Sequence, residues 1–328
     1  MLLRCARHYE SQALLETLNR VYEEVSPTPE EKEVRRLMKQ KQREMVKGED
    51  GSTGASDWKG GMMRAPNLSP LLEVALNGSR DHPRVPRAPR ELAEDGRASI
   101  EAGAKVLHLH PYDATGRETL AAEPCAAALR AVRAACPGIP VSLSTSAAIE
   151  PDPVRRLELV SGWTVLPELV TANQGEPGIA ELCAHLVARG VGIEAGLLSL
   201  ADAEAFVRSG LARSCVRVLI EPLDADPQKA VAHAAAMEEL LLGAGITLPQ
   251  VHHGEGIASW AVNERALRRG HGIRTGLEDA PFLPDGQVAP DNAALVRAAV
   301  ALITRTGVAG WRSTPGDGCR SSSRARSG

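Results

Sequence analysis

The sequence predicts a closed parallel α/β barrel of the (β/α)8 TIM type, with non-barrel extensions at the N- and C-terminal ends. Three observations carry that prediction. Short runs rich in Val, Ile and Leu recur eight times, at 71–76, 106–110, 140–144, 166–172, 191–197, 217–221, 249–253 and 273–277. Segments rich in Ala, Leu, Glu and Arg with helical periodicity lie between them, among them 118–135, 179–188, 227–242 and 292–304. Polar residues collect at the C-terminal ends of the runs, the face where such a barrel carries its working loops. Eight repeats of this kind over about 235 residues match a closed barrel. A doubly wound open sheet is the competing architecture, weakened because no run leads into a G-x-G-x-x-G turn.

Size and composition agree with one large domain at 69–306, flanked by segments 1–68 and 307–328. The 328 residues are 43% hydrophobic, with a formal net charge of -3 and a pI near 6.3. Near-neutral charge argues against a nucleic-acid binder. Cys5, Cys125, Cys136, Cys183, Cys215 and Cys319 are scattered with no C-x-x-C pair, which reads as reduced thiols rather than a disulfide framework. The first residues, MLLRCARH, lack the apolar core of a signal peptide. No run approaches the ~18 apolar residues that span a bilayer. The expectation is a cytoplasmic protein with no membrane segment.

The extensions differ from the repeats. Thr28 as N-cap, Pro29 at the first position and Glu31 closing a capping box predict a helix over 30–47 that is almost all charge. The stretch GEDGSTGASDWKGG after it reads as linker, and 307–328 as a disordered tail. Neither extension is expected to carry chemistry.

Taken in order, the eight runs end in polar groups. The first ends in Asn77-Gly78-Ser79-Arg80-Asp81, the second in His108-Leu-His110, and the third in Ser144-Thr145-Ser146. The fourth ends Thr171-Ala172-Asn173-Gln174-Gly175-Glu176; Glu194 lies within the fifth and Glu221 closes the sixth. The seventh ends His252-His253-Gly254-Glu255-Gly256 and the eighth Arg274-Thr-Gly-Leu-Glu278-Asp279. Gly103, Gly190, Gly210, Gly243 and Gly272 are read as helix ends ahead of strands. A barrel interior otherwise takes branched apolar residues, so a ring of such groups at one mouth costs stability unless it has a use. Taken alone, Glu194 or Glu221 reads as an ion-pair or capping residue.

Side chains two apart on a strand point the same way, so His108 and His110 converge on one side. Two imidazoles there are an incomplete metal site or a hydrogen-bonded pair; both readings are open. Glu278 is the natural third ligand, giving a His2Glu set with one open position. Arg274 and Glu278, four apart, can face one side of an extended segment. Asp279 points elsewhere unless the strand has already turned. Arg274 and Asp279 read equally as an ion pair closing the barrel.

At this point the sequence resembles the β-keto acid cleavage enzymes, typified by 3-keto-5-aminohexanoate cleavage, over residues 71–304. GAKVLHLHPYDATGR is similar to the family's stretch around its zinc-binding His-x-His, and LSTS to its Ser-Thr-Gly-Gly strand end. TAN matches the fourth-strand Thr-x-Asn, and IRTGLED resembles the Arg-x-Gly-x-Glu-Asp block. NGSRDHPRVP, HGEGIASW and LPDGQVAPDNAALV resemble one subgroup. The resemblance implies zinc held by His108, His110 and Glu278, with Asp279 as a base tuned by Arg274. It implies that Ser144 and Thr171 bind the substrate carboxylate or a tetrahedral intermediate. Asn173, Arg80 and Glu255 are counted with the substrate-binding residues. The implied reaction takes a β-keto acid and acetyl-CoA to acetoacetate and a new acyl-CoA, in a homo-oligomer. Three departures stand out. Tyr112 replaces a common Arg, Ser146-Ala147 replaces Gly-Gly, and Arg80 stands where founding members carry Glu. The first two bear on anion binding and loop freedom, the third on substrate choice.

Two other readings compete. An amidohydrolase-type zinc barrel also uses His-x-His, but on its first strand and with later single histidines that the fourth and fifth strands here lack. A barrel that keeps its metal without turnover would be a binding protein.

Overall fold

The eight apolar runs form eight parallel strands closed in sequence order, β1 pairing with β2 and onward until β8 pairs with β1. This is the architecture of the computed structural model, which describes residues 70–307. The strands are β1 Leu72–Ala75, β2 Val106–Leu109, β3 Val141–Ser144, β4 Leu169–Asn173, β5 Gly192–Leu197, β6 Cys215–Ile220, β7 Gln250–His252 and β8 Gly272–Thr275. A helix follows each: α1 Pro89–Ala102, α2 Ala122–Ala135, α3 Pro153–Ser161, α4 Ile179–Ala188, α5 Leu200–Ser209, α6 Pro227–Gly243, α7 Ser259–Arg268 and α8 Asn292–Arg305. All eight strands belong to one compact unit, which among the described residues covers 70–237 and 248–307. A second unit is represented among the described residues by Glu238–Thr247, at the end of α6. The helix expected at 30–47, the linker, and the tail beyond Gly307 lie outside the described residues.

The strands are covered on both faces, which is why they read as continuous apolar runs rather than alternations. Leu72, Val74, Leu107, Leu109, Val141, Leu143, Val170, Ile193, Val218 and Ile273 are all buried. Some of the helices start on side-chain acceptors. Asp152 caps α3 with Pro153 at its first position, Ser199 caps α5 and Asp291 caps α8. No helix among the described residues is long and apolar enough to cross a membrane.

Several boundaries differ from expectation by a residue or two, and three of the differences have a clear local cause. The segment 118–135 is helical only from Ala122, because 111–119 folds back as a hairpin instead. Asp113 Oδ1 accepts from the N–H groups of Thr115 and Arg117, and Tyr112 bridges Glu118. The fourth strand begins at Leu169 rather than 166, since Pro167 has no N–H for the ladder and the Leu166 carbonyl is taken by Arg133 at 2.6 Å. Gly103, Gly190 and Gly210 end helices with positive φ, but at the other two turns Gly245 and Gly270 take that role. Gly243 stays helical, and Gly272 opens β8.

Candidate active site

The second strand ends with His108 and His110 on the inner face, and Glu278 reaches them from the end of the eighth. His108 Nε2 lies 3.6 Å from Glu278 Oε2, and His110 Nε2 lies 3.4 Å from Glu278 Oε1. The potential ligand atoms all fall within 4.8 Å of one another. The far side of each ring is fixed by a different partner. Ser142 donates its hydroxyl proton to Glu194, so its oxygen accepts from His108 Nδ1 at 3.3 Å. Thr171 Oγ1 is also 3.3 Å from that nitrogen. His110 Nδ1 donates to Glu118 Oε2 at 3.1 Å. Partners on both Nδ1 atoms turn both Nε2 atoms toward Glu278, the arrangement that outer-sphere partners impose on metal-ligating histidines. His110 Nε2 and Glu278 Oε2 are buried without a hydrogen-bond partner, a costly state that a cation would relieve.

The electrostatics agree with a cation site. Burial pushes the His108 pKa down to about 3, so the ring is a neutral donor. Burial opposes charge on His110 too, but the Glu278 and Glu118 carboxylates outweigh it and raise that pKa to about 10, so without a cation the ring carries a second proton on Nε2 that a bound metal would replace. Burial likewise works against the Glu278 charge, yet Arg274, His110 and His108 hold its pKa well below the usual range. The donor set therefore fits a divalent metal such as zinc.

Arg274 grips the next residue. Its Nε donates to Asp279 Oδ2 at 2.9 Å and its Nη2 to Asp279 Oδ1 at 2.7 Å, while the same Nη2 reaches Glu278 Oε1 at 2.9 Å. Both carboxylates face this guanidinium because β8 ends at Thr275 and the chain turns at Gly276 (φ 149), where a Cβ would sit 2.0 Å from the Ala75 carbonyl oxygen. Gly78 has a matching role: a Cβ there would come 2.8 Å from Glu278 Cγ. Burial alone would raise the Asp279 pKa, but the charges of Arg274 and His253 bring it down to about 2. The His253 ring is fully buried between Asp279 Oδ2 at 3.5 Å and Glu221 Oε2 at 3.4 Å.

Beneath the mouth lies a charged layer inside the barrel. Arg217 spans Glu194 and Glu73, donating to Glu194 Oε1 at 2.6 Å and to Glu73 Oε2 at 2.8 Å. Burial and the nearby Glu194 charge lift the Glu73 pKa to about 8. Glu194 stays ionised: burial opposes its charge, but Arg217 and the Ser142 hydroxyl overcome it. Its ion-pair reading holds, and through Ser142 it also orients His108.

The expected substrate-binding residues are placed unevenly around this centre. Ser144 is buried at the end of β3, its hydroxyl accepting from Ser146 N at 3.4 Å. Thr171 turns inward toward His108 and Glu194. Asn173 donates to Glu176 Oε1 at 3.0 Å, and Ala147 N donates to the same oxygen at 2.8 Å. Glu176 is itself anchored by the buried Arg156 at 3.1 Å, so the loop holding Ser146-Ala147 is organised by a carboxylate. Arg80 Nε donates to the Glu278 carbonyl at 3.0 Å, and its Nη2 pairs with Glu255. Tyr112 donates to the Gly78 carbonyl at 2.5 Å, with the Arg87 guanidinium 5.5 Å from its ring centroid.

Sequence reasoning missed Glu73, Glu118, Ser142, Arg217 and the role of His253. Two carried a readable signal. Glu73 is a carboxylate inside an apolar run, in phase with Ala75 and Asn77, and Arg217 is in phase with Glu221 on β6.

With this geometry in view, relatives bear on it directly. A 3-oxoadipate:acetyl-CoA acetyltransferase of Cupriavidus necator is 30% identical over 269 residues, 72% of this chain and 89% of that protein. A 3-keto-5-aminohexanoate cleavage enzyme of Fusobacterium nucleatum is 23% identical over 258 residues, 72% of this chain and 92% of that protein. The structure of ObcA in a ternary complex with a C4-CoA adduct and oxalate superposes with a TM-score of 0.56 at 19% identity. That match covers 69% of this chain and spans 65% of the ObcA chain, and it speaks to the barrel fold. Residues 71–310, the whole barrel with every group described above, match the beta-keto acid cleavage enzyme family, and the chain belongs to it.

Proposed function

We propose that this protein is a zinc-dependent transferase that converts a β-keto acid and acetyl-CoA into acetoacetate and a new acyl-CoA. The observation that carries the reading is the meeting of two unpartnered ligand atoms, on His110 and Glu278, beside the arginine-held Asp279. His108, His110 and Glu278 would hold the metal, which supplies Lewis acidity toward a ketone oxygen when bound. The named activity of the Cupriavidus necator relative supports acetyl-CoA as co-substrate, and that of the Fusobacterium nucleatum relative supports cleavage of a keto acid.

The chain's own residues supply the remaining steps. Asp279 takes a proton from the carbon between the substrate's carboxylate and ketone. Arg274 keeps that carboxylate ionised and aimed. With a pKa near 2, Asp279 is a weak base, so the reaction depends on the carbon acid being made more acidic by polarisation of its ketone. The carbanion attacks the acetyl thioester carbonyl and expels CoA thiolate. The thiolate adds to the original ketone, the adjoining carbon–carbon bond breaks, and the new acyl-CoA leaves. The acetoacetate carbanion recovers the proton from Asp279, so the base is regenerated. The Ser144 hydroxyl, at the end of β3, donates to the substrate carboxylate or the tetrahedral oxygen. Thr171 serves the site by holding His108, and Asn173 by holding Glu176.

The same reading includes a homo-oligomer working in the cytoplasm, checked by light scattering and fractionation. The test of the activity is acetoacetate formation by purified, zinc-loaded protein with acetyl-CoA and a panel of β-keto acids that includes 3-oxoadipate. Acetoacetate whose appearance requires both substrates is expected; none with any acid of the panel overturns the reading.

A further inference from the structure

The steps above leave one fully buried imidazole, that of His253, without a task. Neither of its ring nitrogens has a hydrogen-bond partner, and an orphaned buried polar atom is costly. Each nitrogen nevertheless faces a carboxylate oxygen. Nδ1 lies 3.5 Å from Asp279 Oδ2, and Nε2 lies 3.4 Å from Glu221 Oε2. The barrel register builds this row. Ile220 on β6 stands opposite His252 on β7, and His252 opposite Ile273 on β8. One position further along, Glu221, His253 and Arg274 share a layer, and the turn at Gly276 brings Asp279 back to Arg274.

A neutral imidazole has one N–H and one acceptor nitrogen. With Nδ1–H directed at Asp279, Nε2 is the acceptor and takes a proton from Glu221. Burial raises the Glu221 pKa, the direction that keeps a proton in that gap. An imidazolium facing an ionised Glu221 has the same proton in the same gap, so in either form Nδ1 donates to Asp279. The three side chains could also hold a cation, but Arg274 already grips both Asp279 oxygens, at 2.9 and 2.7 Å, and its charge opposes one. The two oxygens are left unequal. Oδ2 accepts from Arg274 Nε and faces His253, whereas Oδ1 accepts from Arg274 Nη2, which also bonds Glu278 Oε1.

We infer that His253, backed by Glu221, is a positioning residue for the base: it occupies Oδ2 of Asp279 and leaves Oδ1 to take the substrate proton. This rests on the role proposed above for Asp279 and adds the two residues that orient it. The proton passes from the substrate carbon to Oδ1 and later returns from it, while the protons of the His253 row stay in place.

The test is deuterium exchange at the carbon between carboxylate and ketone, without acetyl-CoA, using the zinc-loaded full chain and the same panel of β-keto acids, 3-oxoadipate included. An Asn amide nitrogen falls near the position of Nδ1 and a Gln amide near that of Nε2. His253→Gln therefore loses the donor to Asp279, and His253→Asn keeps it. His253→Gln is expected to lower the maximal exchange rate at least tenfold, with zinc content and the half-saturating acid concentration within twofold of the parent. His253→Asn is expected to recover most of that rate. Packing alone predicts the reverse order, since Asn leaves the larger cavity. Parent-like exchange in His253→Gln, or a rate in His253→Asn no higher than in His253→Gln, overturns the inference and leaves the base role of Asp279 standing. No exchange by the parent with any acid of the panel overturns that base role and the inference with it. Should either His253 variant fail to fold, Glu221→Leu decides: exchange at least threefold slower supports the row, and the parent rate overturns it.

Discussion

Arg274 and Asp279 meet through two hydrogen bonds, at 2.9 and 2.7 Å, inside the barrel mouth. The pair closes the eighth strand onto its loop, and in the proposed mechanism the same contact holds the base in place. Asp279→Asn preserves the shape but cannot accept a proton. Turnover is expected to fall by at least a thousandfold, and substrate deuterium exchange to vanish, with the metal retained. Exchange at the parent rate would assign the base to another group.

Metal binding is expected to depend on the outer partners as well as the ligands. His108→Ala or Glu278→Ala should lose both metal and activity, since two ligands hold zinc poorly. Glu118→Gln removes the charge behind His110 and should weaken zinc roughly 10–100-fold. Elemental analysis and competition with a chelator check both, and an active, metal-free parent protein refutes the premise.

The tail of the substrate should be read by Arg80 together with Glu255, because the two form an ion pair above the Glu278 and Asp279 backbone. Arg80→Glu leaves two carboxylates there and is expected to shift preference toward 3-keto-5-aminohexanoate over 3-oxoadipate by tenfold or more. Glu255→Gln leaves the arginine unpaired and should shift it the other way. Ratios of kcat/KM that do not move would remove both residues from substrate choice.

Asp95 supplies a pH signature away from the site. Burial lifts its pKa from 3.8 to about 6, although Asn292 donates to it at 2.5 Å. The folded chain therefore holds a proton that the unfolded chain releases between those values, so stability falls as pH rises through that window and is level above it. The cost at neutral pH is on the order of 2–3 kcal/mol. Asp95→Asn should remove it: relative to the parent, the variant gains stability between pH 4 and pH 7 in urea unfolding. An unchanged difference across that range would show that Asp95 titrates normally.

The chemistry is assigned wholly to the barrel, so the chain shortened to residues 66–306 is expected to fold, bind metal and turn over. Loss of activity in the soluble, shortened protein would give the extensions a part in the working enzyme.

The number, order and direction of the eight strands were legible in the sequence because burial on both faces leaves a continuous apolar run, and that is a local property. So were the groups at the strand ends, since a polar residue finishing such a run has few structural uses. His108 and His110 followed from strand alternation alone. What required the tertiary structure is how groups from distant strands pair. Arg80 meets Glu255 across 175 positions, and Arg217 reaches Glu73 across 144; barrel closure sets those distances, and no local pattern encodes them. Glu118 reads as helical by composition, yet the Asp113 turn carries it back to His110. Glu278 and Asp279 would point apart on a continuing strand, and they share Arg274 because the close approach of the Ala75 carbonyl makes the chain turn at Gly276.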